Sequence, residues 1–305
     1  MDAPPGRMLS LDFMLDSIHI PVLHKEVLDY LQPLPGQVVV DGTLGGGGHT
    51  RLLAERVGPD GFVLALDRDP RAIAAAERSL AGLPVKLAQA NFAELPELVR
   101  SLGLPAVDGV LLDLGLSSDQ LADAARGFSF DSRGPLDLRF DPTEGEPAWQ
   151  LLERVREEPL ANLIYEFGEE RFSRRIARRI VQVRRSEPIR TADQLARLVR
   201  SCVPRGGRQR IDAATRTFQA LRIAVNDELG SLKRALEQIP SWLRPGGRFV
   251  VISFHSLEDR LVKEAFRAAP LLERLCNKPV RPSDLECDVN PRSRSAKLRA
   301  AVRRA

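Results

Sequence analysis

The sequence predicts an α/β fold, a doubly wound parallel sheet with an all-helical domain inserted into it. Three observations carry that expectation. Short apolar runs alternate with helical patterns as far as Asp113; the alternation stops between Gly115 and about Arg210; and one more buried strand pattern follows a Pro-Gly-Gly turn at Pro245–Gly247. A chain of 305 residues with 43% hydrophobic content has room for one large domain or two smaller ones.

In chain order, Lys25 to Tyr30 reads as a helix and Val38-Val39-Val40 as the first strand, with a helix from about Thr50 to Arg56 after the glycines. Phe62 to Leu66 is the second strand. Its helix, Pro70 to Ala81, begins with a proline, where a missing N–H costs nothing. Val85 to Ala88, a helix over Leu95 to Ser101, and the strand Val107 to Leu112 continue the rhythm. Arg126 to Pro147, rich in Gly, Pro and Asp, reads as a long ordered loop, and helices resume at Ala148 to Arg156 and Phe172 to Arg185. In the latter, Phe172, Ile176, Ile180 and Val183 form one apolar face and Arg174, Arg175, Arg178 and Arg185 lie on others. Thr191 and Gln194 make a capping box for the next helix. Thr215 to Gln238 reads as one long helix, its stripe from Phe218 to Leu236 spaced by three and four and ending before Pro240. The expected organisation is a loose extension over residues 1–17, a sheet domain from 18–114 and 211–305, and an inserted helical domain from 115–210.

The most informative segment is Asp41-Gly-Thr-Leu-Gly-Gly-Gly-Gly-His49, directly after the first strand. Glycines at a strand's C-terminal end let backbone approach a ligand at the mouth of such a sheet. The dinucleotide fingerprint needs glycine at its sixth position, but counting from Gly45 that residue is Thr50. The Asp41 carboxylate would also repel a pyrophosphate. A nucleoside carrying positive charge, such as the ammonium and sulfonium of S-adenosylmethionine, tolerates it. Asp67 ends the second strand nineteen residues past Gly48, near the separation at which an acid reaches ribose hydroxyls, and Asp113 ends the fourth.

Charge is unevenly placed. The net charge is +4, yet residues 171–210 hold thirteen arginines against Glu187 and Asp193, a local net of +11. The last fifteen residues add Arg292, Arg294, Lys297, Arg299, Arg303 and Arg304 without an acid. The asymmetry points to an anionic partner, nucleic acid first and an acidic protein or membrane surface behind it, with solvated helix faces as the bland alternative. Cys202, Cys276 and Cys287 lack Cys-x-x-Cys spacing, and the four histidines show no ligand spacing, so neither a disulfide framework nor a metal is expected. No run of eighteen apolar residues and no signal-peptide core is found, which predicts a cytoplasmic, reducing setting.

Over nearly its whole length the chain resembles the bacterial small-subunit (16S) rRNA cytosine-N4 methyltransferases of the RsmH or MraW type. The matching segments are His19 to His24, Asp41 to His49, Leu66 to Pro70, Leu111 to Ser118, Arg126 to Phe130, Gly134 to Asp137, Gly168 to Phe172, Ala214 to Arg222, Ile252 to Arg260 and Asn290 to Arg294. The resemblance implies a class I S-adenosylmethionine-dependent methyltransferase of Rossmann-like fold. Its substrate would be 16S rRNA or the small ribosomal subunit, and its target the exocyclic N4 of a cytosine, cytosine 1402 in the decoding region. No membrane and no obligate protein partner is implied. The family's methionine-contacting residues fall on Gly47, Gly48 and His49, the ribose acid on Asp67, and the adenine neighbour on Phe92. The acid after the fourth strand falls on Asp113, and the glutamine that closes the pocket on Gln120. Asp212-Ala213 stands where the family usually has His-Pro, position 46 is glycine, and the segment from Lys263 to Asn290 is short.

Methylating an exocyclic amine requires the nitrogen to be held in line with the methyl group while its N–H bonds are accepted. Amine methyltransferases often carry Asp/Asn-Pro-Pro-aromatic after the fourth strand, but this chain has Asp113-Leu-Gly-Leu. Asp113 and nearby carbonyls are the candidate acceptors, with His255 as a further proton acceptor or a structural residue. Other methyltransferases, acting on DNA or a small amine, and a non-catalytic RNA-binding or assembly protein are the alternatives.

Overall fold

A computed structural model describes residues 21–130, 132–204 and 212–305. The expected N-terminal extension, the boundary at residue 210 and Arg205, Arg208 and Arg210 lie outside them. The helices are α1 (His24–Leu31), α2 (Gly48–Val57), α3 (Pro70–Ser79), α4 (Leu95–Ser101), α5 (Ser118–Ala122), α6 (Ala148–Arg154), α7 (Glu157–Gly168), α8 (Ser173–Val183), α9 (Ala192–Cys202), α10 (Thr215–Asn226), α11 (Glu228–Trp242), α12 (Ser256–Ala268) and α13 (Asp284–Val289). The strands are β1 (Val38–Asp41), β2 (Phe62–Asp67), β3 (Val85–Gln89), β4 (Val107–Asp113), β5 (Leu243–Ser253), β6 (Leu272–Arg274) and β7 (Lys297–Arg303).

The strands form one sheet in the order β3-β2-β1-β4-β5-β7-β6, parallel through β5 and antiparallel at β7 and β6. Successive strand residues point to opposite faces, and the cores follow that period. Val38, Val40, Leu64, Leu66, Val110, Leu112, Phe249 and Val251 pack with residues of α4, α11 and α12. Val39, Val63, Ala65, Leu111, Val250 and Ile252 pack with α1, α2 and α3. Both faces are covered, which is why β1 and β4 read as continuous apolar runs. The chain winds outward from β1 to β3 and then crosses to β4, so the order reverses between β1 and β4. A crevice opens at such a switch point, beyond the carboxyl ends of the strands.

A third core lies in the helical layer, built from Leu152, Leu160, Ile164, Ile176, Ile180, Leu195 and Val199. It also draws on Ala214, Phe218 and Leu221, so α10 belongs to this core as well as to the return into the sheet domain. Helix α7 is missing from the sequence expectation. Its signal, Leu160, Ala161, Ile164 and Gly168 at helical spacing, sits behind Glu157, Glu158 and Pro159. Gly168 allows close approach, since a Cβ there would lie 2.4 Å from the Arg216 carbonyl oxygen.

The single helix expected over Thr215 to Gln238 is two. Asp227 takes a left-handed conformation (φ 49°) and separates α10 from α11. Tertiary bonds hold the break: Asn226 accepts from the Phe140 amide at 2.7 Å and donates to the Leu138 carbonyl at 2.7 Å. The apolar stripe could not reveal it, because the repeat resumes in register on the far side. Pro240 lies inside α11, not after its end. Strands β6 and β7 and helices α12 and α13 carry weak sequence signals and were not anticipated. Lys297 and Arg299 in β7 both contact Asp259, at 3.2 and 2.7 Å, so part of the C-terminal charge is used inside the fold.

The described residues of the stretch expected to be an ordered loop, Arg126 to Pro147, are held by fixed bonds. Arg126, 3% exposed, pairs with Asp69 at 2.8 Å and donates to the carbonyls of Arg139 and Phe140. Removing one partner of a buried pair leaves the other charge uncompensated. Arg126→Ala is therefore expected to destabilise the protein by about 3–5 kcal/mol. Chemical denaturation of the variant beside the wild type measures it, and a loss below about 1 kcal/mol contradicts the role given to this pair.

Candidate active site

The crevice at the switch point is an open cleft beyond the ends of β1, β2 and β4. Asp67 and Asp113, at the ends of β2 and β4, line it together with Phe92 and Gln120. Gly42, Thr43, Gly45, Ser117 and Ser231 line it too and were not anticipated as cofactor residues. Gly42 is required by crowding: a Cβ would meet the Leu112 side chain at 2.5 Å and Phe92 Cβ at 3.0 Å.

The Asp67 carboxylate accepts from the Gly45 amide and the Asp69 amide, both at 2.8 Å, which fixes it against the glycine loop. Each oxygen keeps a further lone pair for a hydroxyl. Burial, only partly offset by those two amides, raises its pKa to about 6. Phe92 opens a single 3₁₀ turn (Phe92–Glu94) capped by Asn91, whose side-chain oxygen accepts from the Ala93 amide at 3.0 Å. Gln120 closes a capping box with Ser117 at the start of α5, the two bonds being 3.0 and 3.1 Å. That second function fixes where the glutamine stands.

Asp41 does not line the cleft. It is fully buried beneath the loop, accepting from the Thr50 hydroxyl at 2.7 Å and the Thr43 amide at 3.1 Å. Burial raises its pKa against the pull of Thr50 and Thr43. Asp113 is raised to about 7, first by burial and then by Asp41, against the opposing charge of Arg292. Its Oδ1 is buried with no hydrogen-bond partner among the described residues, and His49 Nε2 lies 3.6 Å from its Oδ2.

Gly48 and His49 line a recess that continues the cleft past Asp113. Gly47 lines neither space. It turns the chain into α2 with φ 78°, and a Cβ there would touch Leu80 at 3.5 Å. His255 opens onto a second cavity, lined by Phe128, Phe130, Phe218 and Phe254 with Arg222 and Arg292. The two spaces meet at Leu114 and Gly115. His255 caps α12: its Nδ1 accepts from the Glu258 amide at 3.4 Å and its Nε2 lies 3.1 Å from Glu258 Oε1. His255 is thus held against Glu258 as the cap of α12, which supports the structural reading of this residue. Glu258, which burial alone would raise, is held below the ordinary carboxylate range by His255 and Arg222. Glu228, His255 and Glu258 bring ligand-type atoms within 4.8 Å of one another, but Arg222, bonded to Glu228 at 2.7 and 2.9 Å, already supplies positive charge there.

The site suits S-adenosylmethionine. Asp113 offers an unpartnered buried oxygen to a cation, Asp67 offers lone pairs to a diol, Phe92 offers an apolar wall to a base, and backbone without side chains lines the loop between them.

Because Asp113 is raised to about 7, the folded chain holds a proton that the unfolded chain releases above about pH 4. Folding stability accordingly falls as pH rises through that window, and the loss is complete above about 7. Asp113→Asn is expected to raise the unfolding midpoint at pH 8 by at least roughly 2–4 °C, the shift worth about 1 kcal/mol, and to change it little at pH 4. Thermal melts of the ligand-free protein at both values test this. An equal shift at the two, or a loss at pH 8, refutes it.

The chain matches the model of the MraW methylase family over residues 16–304. It is 49% identical to the ribosomal RNA small subunit methyltransferase H of Geotalea uraniireducens, across 94% of this chain and 99% of that protein. To the protein of the same name from Deinococcus deserti it is 51% identical, across 94% and 93%. A third, from Thermomicrobium roseum, is 50% identical across 97% and 96%. Matches spanning both partners almost completely cover the sheet, the helical layer and every residue of the cleft. The chain belongs to the MraW methylase family.

Proposed function

We propose that the protein transfers a methyl group to the exocyclic N4 of a cytosine in small-subunit rRNA, at position 1402. The observation that carries this reading is the junction at Leu114–Gly115, where the acid-lined cleft meets an aromatic cavity beside Asp113. A base taken out of its stack loses face-to-face contacts that phenylalanine rings can restore. Phe130 and Phe218 meet edge to face at 5.0 Å and define one wall of that cavity. The names of the relatives, all small-subunit rRNA methyltransferases, support an RNA substrate over a small amine.

In this mechanism Asp67 holds the ribose hydroxyls, Phe92 packs against the adenine, and Gln120 closes the cleft at α5. Gly48 and His49 bound the methionine end, with Gly47 shaping the turn behind them. S-adenosylmethionine, when bound, supplies an electrophilic methyl group on sulfonium. Asp113 accepts an N–H of the amine, which favours the pyramidal nitrogen with its lone pair localised. Neither a metal nor a nucleophilic cysteine is needed, because nitrogen attacks directly.

The domain from 115–210 presents the RNA. Arg171, Arg174, Arg175, Arg178, Arg179 and Arg185 are exposed on and around α8, while Ile176 and Ile180 are buried under them. Elsewhere in the same stretch arginines are used internally: Arg184 donates to the Leu152 and Val155 carbonyls, and Arg190 pairs with Glu153. Among the described residues of the stretch, α8 and its flanks thus carry a cluster of exposed arginines, of which Arg178 also pairs with Glu157 at 3.3 Å, and such a cluster suits backbone binding. Among the described residues no helix is long and apolar enough to cross a membrane.

Mapping methylated cytosines in small-subunit rRNA from cells with and without the protein tests the whole reading. Loss of one N4-methylcytosine on deletion is expected, and an unchanged map refutes it. Asp67→Ala is expected to weaken S-adenosylmethionine binding by at least roughly 100-fold in calorimetry with the fold intact, since it removes a charge-assisted diol contact. Unchanged affinity removes that assignment. Replacing Arg175, Arg178 and Arg179 together by Ala should weaken RNA binding and lower the salt slope by about 2–3, with donor affinity unchanged. If RNA affinity and slope stay constant, that face is solvated surface only.

A further inference from the structure

The recess beyond Asp113 shares Thr43, Gly45, Gly115 and Ser117 with the cleft, so the two form one continuous space. Arg292 lines its far side. This residue comes from the 3₁₀ turn Pro291–Ser295, just before β7, and reaches the start of α5, where its guanidinium donates to the Ser118 hydroxyl. Of the side chains lining the recess, Arg292 alone carries a permanent positive charge. Among the described residues no carboxylate lies within ion-pair distance of it, although Asp113 and Asp119 act on it through space, and burial disfavours its charge. A partly desolvated guanidinium has several N–H donors in a fixed fork, and one serine hydroxyl uses little of that capacity.

The acids of this site favour a cation, and that creates a difficulty at the amino-acid end of the donor. Its ammonium fits Asp113, but its carboxylate must lie in the same negative surroundings, where it is repelled unless a cation offsets it. We infer that Arg292 binds the α-carboxylate of the methyl donor in the recess beyond Asp113 and so positions the donor for transfer. The inference rests on the cofactor reading of the cleft. It gives Arg292 a role apart from the RNA-facing charge that the C-terminal sequence suggests.

Calorimetry on the full chain tests it with S-adenosylhomocysteine and with S-adenosyl-3-thiopropylamine, the same molecule lacking the carboxylate. Arg292→Ala is expected to weaken S-adenosylhomocysteine roughly 10- to 100-fold, the range of a charge-assisted contact, and to leave the decarboxylated ligand within about threefold. Arg292→Lys should recover part of the loss. Arg292→Gln, which can keep the bond to Ser118, should show the same split as Ala should the latter fold poorly. Equal losses for both ligands would mean that Arg292 acts only through Ser118 and α5, and unchanged affinities would mean no role; either overturns the inference. So does unchanged donor affinity with weakened RNA binding, which would assign the guanidinium to a phosphate. A wild-type protein that binds neither ligand instead overturns the cofactor reading itself.

Discussion

The Asp41 carboxylate, sealed under the glycine loop, is the constraint on which the site depends. It holds Thr50 at the first turn of α2 and the Thr43 amide at the loop's start, and the Thr43 hydroxyl donates to it at 3.4 Å while accepting from the Asp113 amide at 2.6 Å. One buried acid thereby ties β1, the loop, α2 and the end of β4 together. Its field also raises the pKa values of Asp67 and Asp113, though burial contributes more to each. The loop is therefore held in place where it carries no side chains. A cost comes with it. Three carboxyls shifted upward by burial oppose folding near neutral pH in the empty protein, a tension typical of binding sites that ligand uptake relieves.

Much of this was legible in the sequence. The parallel strands through Asp113, the ordered loop after Arg126 and the apolar face of α8 follow from period, turn chemistry and capping, all local rules. Asp67, Phe92, Asp113 and Gln120 converge on one cleft because strand ends of a doubly wound sheet must meet at its head. What stayed hidden depends on distant partners. The break at Asp227 is held by Asn226 bonding to residues some 86 positions away. The inward use of Lys297 and Arg299 depends on Asp259 in α12, and the capping role of His255 on Glu258 in the same turn. Gly47, placed at the cofactor by resemblance, is a conformational residue. Composition counts charges but cannot say which of them face solvent.

The cleft and the aromatic cavity are separated by the half-buried ion pair of Arg222 with Glu228 and by the contact of His255 with Glu258. Glu228 and Glu258 face the cleft while Arg222 and His255 face the cavity. The partition thus turns carboxylates toward the cleft and basic side chains toward the aromatic cavity.

The left-handed joint between α10 and α11 has one more consequence. Arg68 and Phe140, both at the cleft's rim, are fastened to Asn226 through its carbonyl and its side-chain oxygen, at 2.6 and 2.7 Å. Helix α10, in turn, contributes Phe218 and Leu221 to the core of the helical layer. One helix therefore ties the packing of the helical layer to the rim of the cleft, so the two are positioned together.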